Sequence, residues 1–239
     1  MSQIRLQKLI SRYGYSSRRK AEVLIKEGKV RVNGVVKNRL GTKVRDSSVI
    51  EVDGKVINRN MKNVYLMLNK PAGYLCSRND RWKRKRIYDL IDSDTVKEGI
   101  YSVGRLDYMS EGLLLLTNDG EFAYRVSHPS QGIMKKYEVS TEKKIPYKSI
   151  AAWVNGIYIK GVKYSVSNIE KINSVKAIIS LHEGKNREIR ILFQSIPLQV
   201  RKLRRIAVGP LELGDLPVGK YRDLTDTEIL KLVGSVETK

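Results

Sequence analysis

Sulfur and imidazole are scarce in this chain of 239 residues, where Cys76 is the sole cysteine and His128 and His182 are the only histidines. A single thiol cannot close an internal disulfide, and with two imidazoles it offers too few soft ligands for zinc. No metal is expected. Also missing is any apolar run of about 18 residues or more, the least that spans a bilayer, and no lipidation signal is present. The opening Met1-Ser2-Gln3-Ile4-Arg5-Leu6 has neither the apolar core nor the small-residue cleavage site of a secretory signal, so a cytoplasmic location is expected. Acidic residues are in the minority: 25 Asp and Glu stand against 46 Lys and Arg, a formal net charge of +21. Such an excess points to a polyanionic partner, with nucleic acid first and an anionic membrane surface second. The bland alternative is a lysine-rich solvated face. The length suits two compact units on a tight linker.

From Ile4 to Glu27 the apolar positions Ile4, Leu6, Leu9, Ile10, Ala21, Val23, Leu24 and Ile25 recur at helical spacing, broken at Gly14, which predicts two short helices. The second would start at Ser16-Ser17, whose hydroxyls can cap free backbone donors, and stop at Gly28. Arg18, Arg19 and Lys20 then fall in its first turn, where the helix dipole disfavours cations; phosphate binding explains them better than stability does. Val30 to Val36 alternates around Asn33-Gly34, a strong hairpin signal. A strand over Val49–Val52, a turn at Asp53-Gly54 and a last strand through Val56 and Ile57 would close the unit near Met61. The sequence Arg5-Leu6-Gln7-Lys8-Leu9, Gly14, Ser17-Arg18-Arg19, Gly28, Val30, Val32-Asn33-Gly34 and Asp53-Gly54 resembles the small RNA-binding domain named after ribosomal protein S-four. The resemblance implies that the Arg18–Lys20 helix meets an RNA groove through phosphate contacts, which position without reading sequence.

Residues 58–63 are polar and aperiodic, as in a linker, so the expected units are 1–61 and 62–239. The second opens with a strand at Val64–Asn69, broken by Lys70-Pro71-Ala72-Gly73. In Arg78–Arg86 six of nine residues are Arg or Lys, Arg84 among them, and Trp82 stands in their midst. That composition suits phosphates plus a stacked base; a loop disordered until RNA binds is the equal alternative. Leu113–Leu116, between Gly112 and the turn signal Thr117-Asn118-Asp119-Gly120, predicts a strand buried on both faces. Further strands are expected at Tyr137–Thr141 and Ala177–Leu181, a helix from Glu188 to Phe193, and a last helix from Thr225 to Val233. The fold class is α+β, a small N-terminal unit followed by a larger one on a mixed, largely antiparallel sheet with flanking helices.

Asp107 follows Gly104-Arg105-Leu106 and precedes the glycine-flanked strand, where glycines could admit a nucleic-acid backbone. A lone aspartate more often caps a turn. Residues 104–120, however, closely resemble the signature of the RsuA/RluB branch of pseudouridine synthases, nearest its large-subunit members. Asn69-Lys70-Pro71-Ala72-Gly73, Lys136-Tyr137-Glu138-Val139, Glu183 to Arg190, Leu203-Arg204-Arg205-Ile206 and Gly209-Pro210-Leu211 match its other motifs in order.

The resemblance implies isomerisation of a uridine in ribosomal RNA, free or within pre-ribosomal particles, without a cofactor. Asp107 matches the catalytic aspartate, which either attacks the anomeric carbon or removes a neighbouring proton. Arg190 matches the cation that keeps this carboxylate ionised in a closed pocket. Tyr137 matches the tyrosine that packs on uracil and helps remove the proton at the new carbon bond. Arg105 would fill the gap left by the flipped base, and Arg187 belongs to the basic motif. Leu203 either packs against the base or is simple core; Lys70 is structural or contacts phosphate. Three positions depart from the pattern: Ser110 for threonine, Glu188 for glutamine and Ile191 for a basic residue. Glu188, two residues from Arg190 on a helix, is expected to look away. Alternatives are a small-subunit enzyme, or a non-catalytic assembly factor that binds RNA with both units. A monomer is expected, since the charge is spread and no apolar association stripe appears. RNA affinity should fall steeply with added salt, which a binding titration across ionic strengths measures.

Overall fold

A computed structural model of the chain describes residues 3–58, 62–97 and 99–234. The expected boundary at Met61 and part of the linker fall on residues 59–61, outside the described residues. The first unit runs β1 (Gln3–Arg5), α1 (Leu6–Arg12), α2 (Arg18–Lys26), β2 (Val30–Val32), β3 (Val35–Val36), β4 (Lys43–Arg45), β5 (Ile50–Val52) and β6 (Lys55–Ile57). Ser17 caps α2 as predicted, its hydroxyl accepting from the Lys20 N–H at 3.3 Å. Asn33 (φ 50°) and Gly34 (φ 80°) are both left-handed, the pairing that joins β2 to β3 with the twist a tight hairpin needs. One expectation fails at Ile4: it lies in β1 and pairs with Val44, so the helix begins only at Leu6. The helical spacing misled because Ile4 packs against the same core as Leu6, Leu9, Ile10, Leu24 and Ile25.

The second unit comprises β7 (Tyr65–Lys70), α3 (Ser93–Lys97), β8 (Tyr101–Val103), β9 (Glu111–Thr117), α4 (Gly120–Ser127), β10 (Lys135–Thr141), α5 (Tyr147–Ile150), β11 (Ile157–Ile159), β12 (Val162–Tyr164), β13 (Asn168–Lys171), β14 (Lys176–Leu181), α6 (Glu188–Gln194), β15 (Val200–Val208), β16 (Leu211–Glu212), β17 (Tyr221–Asp223) and α7 (Asp226–Gly234). Its main sheet has the order β13-β14-β10-β15-β9-β7-β17. Neighbours are antiparallel except β15 and β9, which run parallel. The leucine run behaves as read from the sequence: Leu114 and Leu116 face one apolar cluster, Leu113 and Leu115 the other. Strand geometry forces this, because successive side chains leave opposite faces. The turn signal after it does more than stop the strand. Asp119 caps α4, accepting from the N–H groups of Glu121 and Phe122, a helix the sequence reading missed. No described helix is long and apolar enough to cross a membrane.

Gly112 is where the parallel junction becomes possible. It pairs with Arg205, has φ +97°, and a Cβ there would lie 2.2 Å from the Arg205 carbonyl oxygen. The glycine therefore admits the chain's own backbone, whereas the sequence suggested a nucleic-acid backbone. Gly34 is the control, with φ +80° but open space around its missing Cβ. Gly112→Ala should cost about 3 kcal/mol or more, and Gly34→Ala only about 1 kcal/mol, in urea-unfolding stability.

Candidate active site

A cleft of about 750 Å³ opens at the β9–β15 junction. Asp107 enters it from the turn before β9, Tyr137 from β10, and Leu203 and Arg205 from β15. The turn bearing Asp107 is held from beneath. Lys70, at the end of β7, is fully buried and its Nζ donates to the carbonyls of Ser110 (2.8 Å), Pro71 (3.0 Å), Asp107 (3.2 Å) and Tyr108 (3.3 Å). Lys70 is thus structural, and the phosphate-contacting alternative is excluded because its ammonium has no path to solvent. Burial pushes its pKa down to about 8 from 10.5, against the pull of Glu111 and Asp107. Cys76 grips the same turn: its Sγ donates to the Leu106 carbonyl (3.3 Å) and accepts from the Leu106 N–H (3.5 Å). The Ser110 N–H closes the turn on the Asp107 carbonyl at 3.0 Å.

Tyr137 is 8% exposed, with the Arg205 Nη1 donating to its hydroxyl at 3.5 Å. Arg205 itself is buried and anchored, its Nε donating to the Leu113 carbonyl at 2.7 Å. The sequence reading quoted Arg205 within a motif but gave it no role; a second arginine in a strand otherwise alternating to the core was the available signal. Leu203 is buried in the cleft wall, consistent with both of its readings. Arg190 stands behind the wall on α6, donating from Nη1 to the Val200 carbonyl at 3.2 Å. Among the described residues its buried Nη2 has no hydrogen-bond partner. Burial and the Arg187 charge lower its pKa, while Asp107 opposes them. Arg190 therefore lies within the electrostatic reach of Asp107, although no hydrogen bond joins the two.

Glu188 does not look away. It is 4% exposed and lines the cleft, because α6 starts there and the Glu188 carboxylate turns back to accept from the Lys185 N–H at 2.9 Å. Burial raises its pKa, while Lys185 and Lys135 act against the rise. Lys135, also on the wall, is pushed down by burial and by the Arg205 charge. Arg105 and Arg187 sit exposed on the rim. Arg84 lies outside the cleft in an ion pair with Asp80, and Arg18, Arg19 and Lys20 are exposed on the first unit. Among the described residues no three His, Cys, Asp or Glu side chains gather to hold a metal.

Residues 64–195 match the family model for RNA pseudouridylate synthase, and residues 4–50 that for the S4 domain. The chain is 42% identical over 235 residues to ribosomal large subunit pseudouridine synthase B of Bacillus subtilis, covering 95% of each. It is 38% identical to an uncharacterized RNA pseudouridine synthase of Aquifex aeolicus, across 100% of this chain and 97% of that one. A solved pseudouridylate synthase superposes with a TM-score of 0.71 at 28% identity, covering 96% of this chain and 100% of its own. The chain belongs to the RNA pseudouridylate synthase family and is a pseudouridine synthase with an S4 domain.

Replacing Lys70 by methionine strands four inward carbonyls and should destabilise the fold by about 3 kcal/mol. The sign of its pH effect follows from the lowered value. Between pH 8 and 10.5 the unfolded chain binds the extra proton, so this residue makes stability rise with pH there. Urea-unfolding midpoints over that range should climb more in the wild type than in Lys70→Met.

Proposed function

We propose that this protein converts a uridine of ribosomal RNA, in the large subunit, to pseudouridine, acting as a monomer in the cytoplasm on free RNA or pre-ribosomal particles. The observation that carries the reading is one cleft lined by Asp107, Tyr137, Leu203 and Arg205, with Arg190 behind it. Choice of the large subunit leans on relatives: those of Bacillus subtilis and Pseudomonas aeruginosa are both named ribosomal large subunit pseudouridine synthase B.

The target base first leaves its stack, at a cost of a few kcal/mol, and Arg105 on the rim takes its place. Asp107, beside the ribose, attacks the anomeric carbon or takes a neighbouring proton as the bond to the uracil N1 breaks. The freed uracil turns between Tyr137 and Leu203, and its C5 bonds to the anomeric carbon as the Asp107 ester bond breaks or, on the other route, as Asp107 returns the ribose proton. The proton on C5 leaves through the Tyr137 hydroxyl, where the Arg205 guanidinium can bear against developing negative charge. N1 ends protonated, so the product is an isomer and neither oxidant nor cofactor enters the balance. The role of Arg190 is to set a positive charge behind the wall that carries Asp107. The first unit grips the phosphates of neighbouring helices through Arg19 and Lys20.

Asp107→Asn should lower product formation about a thousandfold or more with RNA affinity kept, and Tyr137→Phe about a hundredfold or more. Pseudouridine mapping on ribosomal RNA treated with each variant is the measurement, with RNA from cells lacking the protein locating the site. Product from Asp107→Asn would sink the mechanism. A wild type that binds but makes no product on free RNA or particles would leave a non-catalytic assembly factor, and a site in small-subunit RNA would overturn the choice of subunit.

A further inference from the structure

The chain has two tryptophans with opposite surroundings. Trp153 is 2% exposed and packs edge-on to Phe193 in the core, whereas Trp82 is 62% exposed. An indole left in water needs a reason, since burying it would recover apolar area. The loop that carries it is also firmly built. The Asp80 carboxylate accepts from the Arg84 N–H (2.9 Å), Nε (3.1 Å) and Nη2 (2.6 Å). Arg86 is tied to the Arg78 carbonyl and to Asp89, while Leu75, a cleft-lining residue, exchanges backbone bonds with Lys85 and Ile87. The Trp82 loop is thereby fastened to the rim of the catalytic cleft.

What surrounds the indole indicates its ligand. Guanidinium groups of Arg81 and Arg84 lie 3.9 and 4.8 Å from its ring centre, and Arg84 is 5.9 Å from the ring of Tyr108, the residue after Asp107. A shallow hollow beside them is lined by Asn79, Asp80, Arg81, Trp82 and Arg86. Asp80 is taken up by Arg84 and Asp89 by Arg86, so among the described residues the loop's Arg81, Lys83 and Lys85 have no ion pair. An aromatic face beside the unpaired Arg81 guanidinium, with Lys83 and Lys85 in the same loop, fits a base with its phosphates, and a protein partner would have to bring the acids. We propose that the Trp82 loop is a stacking site for one unpaired nucleotide beside the reacting uridine, with Trp82 taking the base and Arg81 the phosphate. The proposal rests on RNA as the substrate class but is independent of the role given to Asp107.

Tryptophan emission tests it directly, because only Trp82 can meet RNA. Adding a mixed-sequence, single-stranded 12-nucleotide RNA at low salt should quench wild-type emission; inorganic polyphosphate, which has charge but no bases, should not. Trp82→Phe, whose signal comes from Trp153 alone, should show no quench. On ribosomal RNA, Trp82→Ala should raise KM roughly 5- to 150-fold with kcat at saturation nearly unchanged, and Trp82→Phe should recover most of the loss. Equal quenching by polyphosphate, no quenching by RNA, or an unaltered KM in Trp82→Ala would overturn the stacking site. Were the protein inactive on ribosomal RNA, the oligonucleotide titration would still decide the matter.

Discussion

Four backbone carbonyls converge on the Lys70 ammonium, and the geometry of the cleft depends on that contact. A turn has no ladder of its own to hold it, so a catalytic carboxylate on a turn drifts unless something beneath it is rigid. Lys70 supplies that rigidity because it ends a strand paired on both sides, to β9 and to β17. Its charge is tolerated in the interior because four carbonyl dipoles replace the lost water. The Cys76 contacts to Leu106 hold the other end of the turn, so Asp107 is fixed between two anchors. The parallel β9–β15 pairing then brings Arg205 and Leu203 to the same place, and it exists because Gly112 has no side chain.

Much of this was legible from residues alone. Period-two alternation and the leucine run located β9 and β10, since strands buried on one or both faces leave that pattern. The hairpin at Asn33-Gly34 and the cap at Ser17 were readable because their chemistry is local. What was not legible is long-range. Ile4 fits a helical period and a strand equally well; only its pairing with Val44 decides. Glu188 was assigned to the outside by helix spacing, but it sits in the first turn, where a carboxylate can reach back to a free N–H instead of following the face. Lys70 could be read as structural or as phosphate-contacting, because nothing in its neighbourhood announces that Asp107, Tyr108 and Ser110 fold over it.

Charge in the cleft follows one rule. Arg105, Lys135, Arg187 and Arg205 line it, Arg190 stands behind, and the carboxylates that share the wall are Asp107, Glu183 and Glu188. Burial acts on Lys135, Arg190 and Glu188 alike, penalising whichever form is charged. With Lys185, the cations of the cleft and its back wall outnumber the carboxylates, and among the described residues the buried Arg190 Nη2 has no hydrogen-bond partner. A buried guanidinium donor without a partner costs free energy.

Under the proposed function, that imbalance accounts for wide RNA binding with reaction at one nucleotide. Phosphate contacts from exposed cations such as Arg19 and Lys20 carry no sequence information and give an affinity that salt removes. On the proposed mechanism, selection comes from steps that depend on a base: leaving its stack, entering a cleft walled by Tyr137 and Leu203, and meeting Asp107. A uridine held in a strong helix pays the full cost of unstacking, whereas one in a loop pays little. On the same proposal the cationic surface concentrates RNA near the cleft, and the turn held by Lys70 makes reaction contingent on a base that the RNA itself can release.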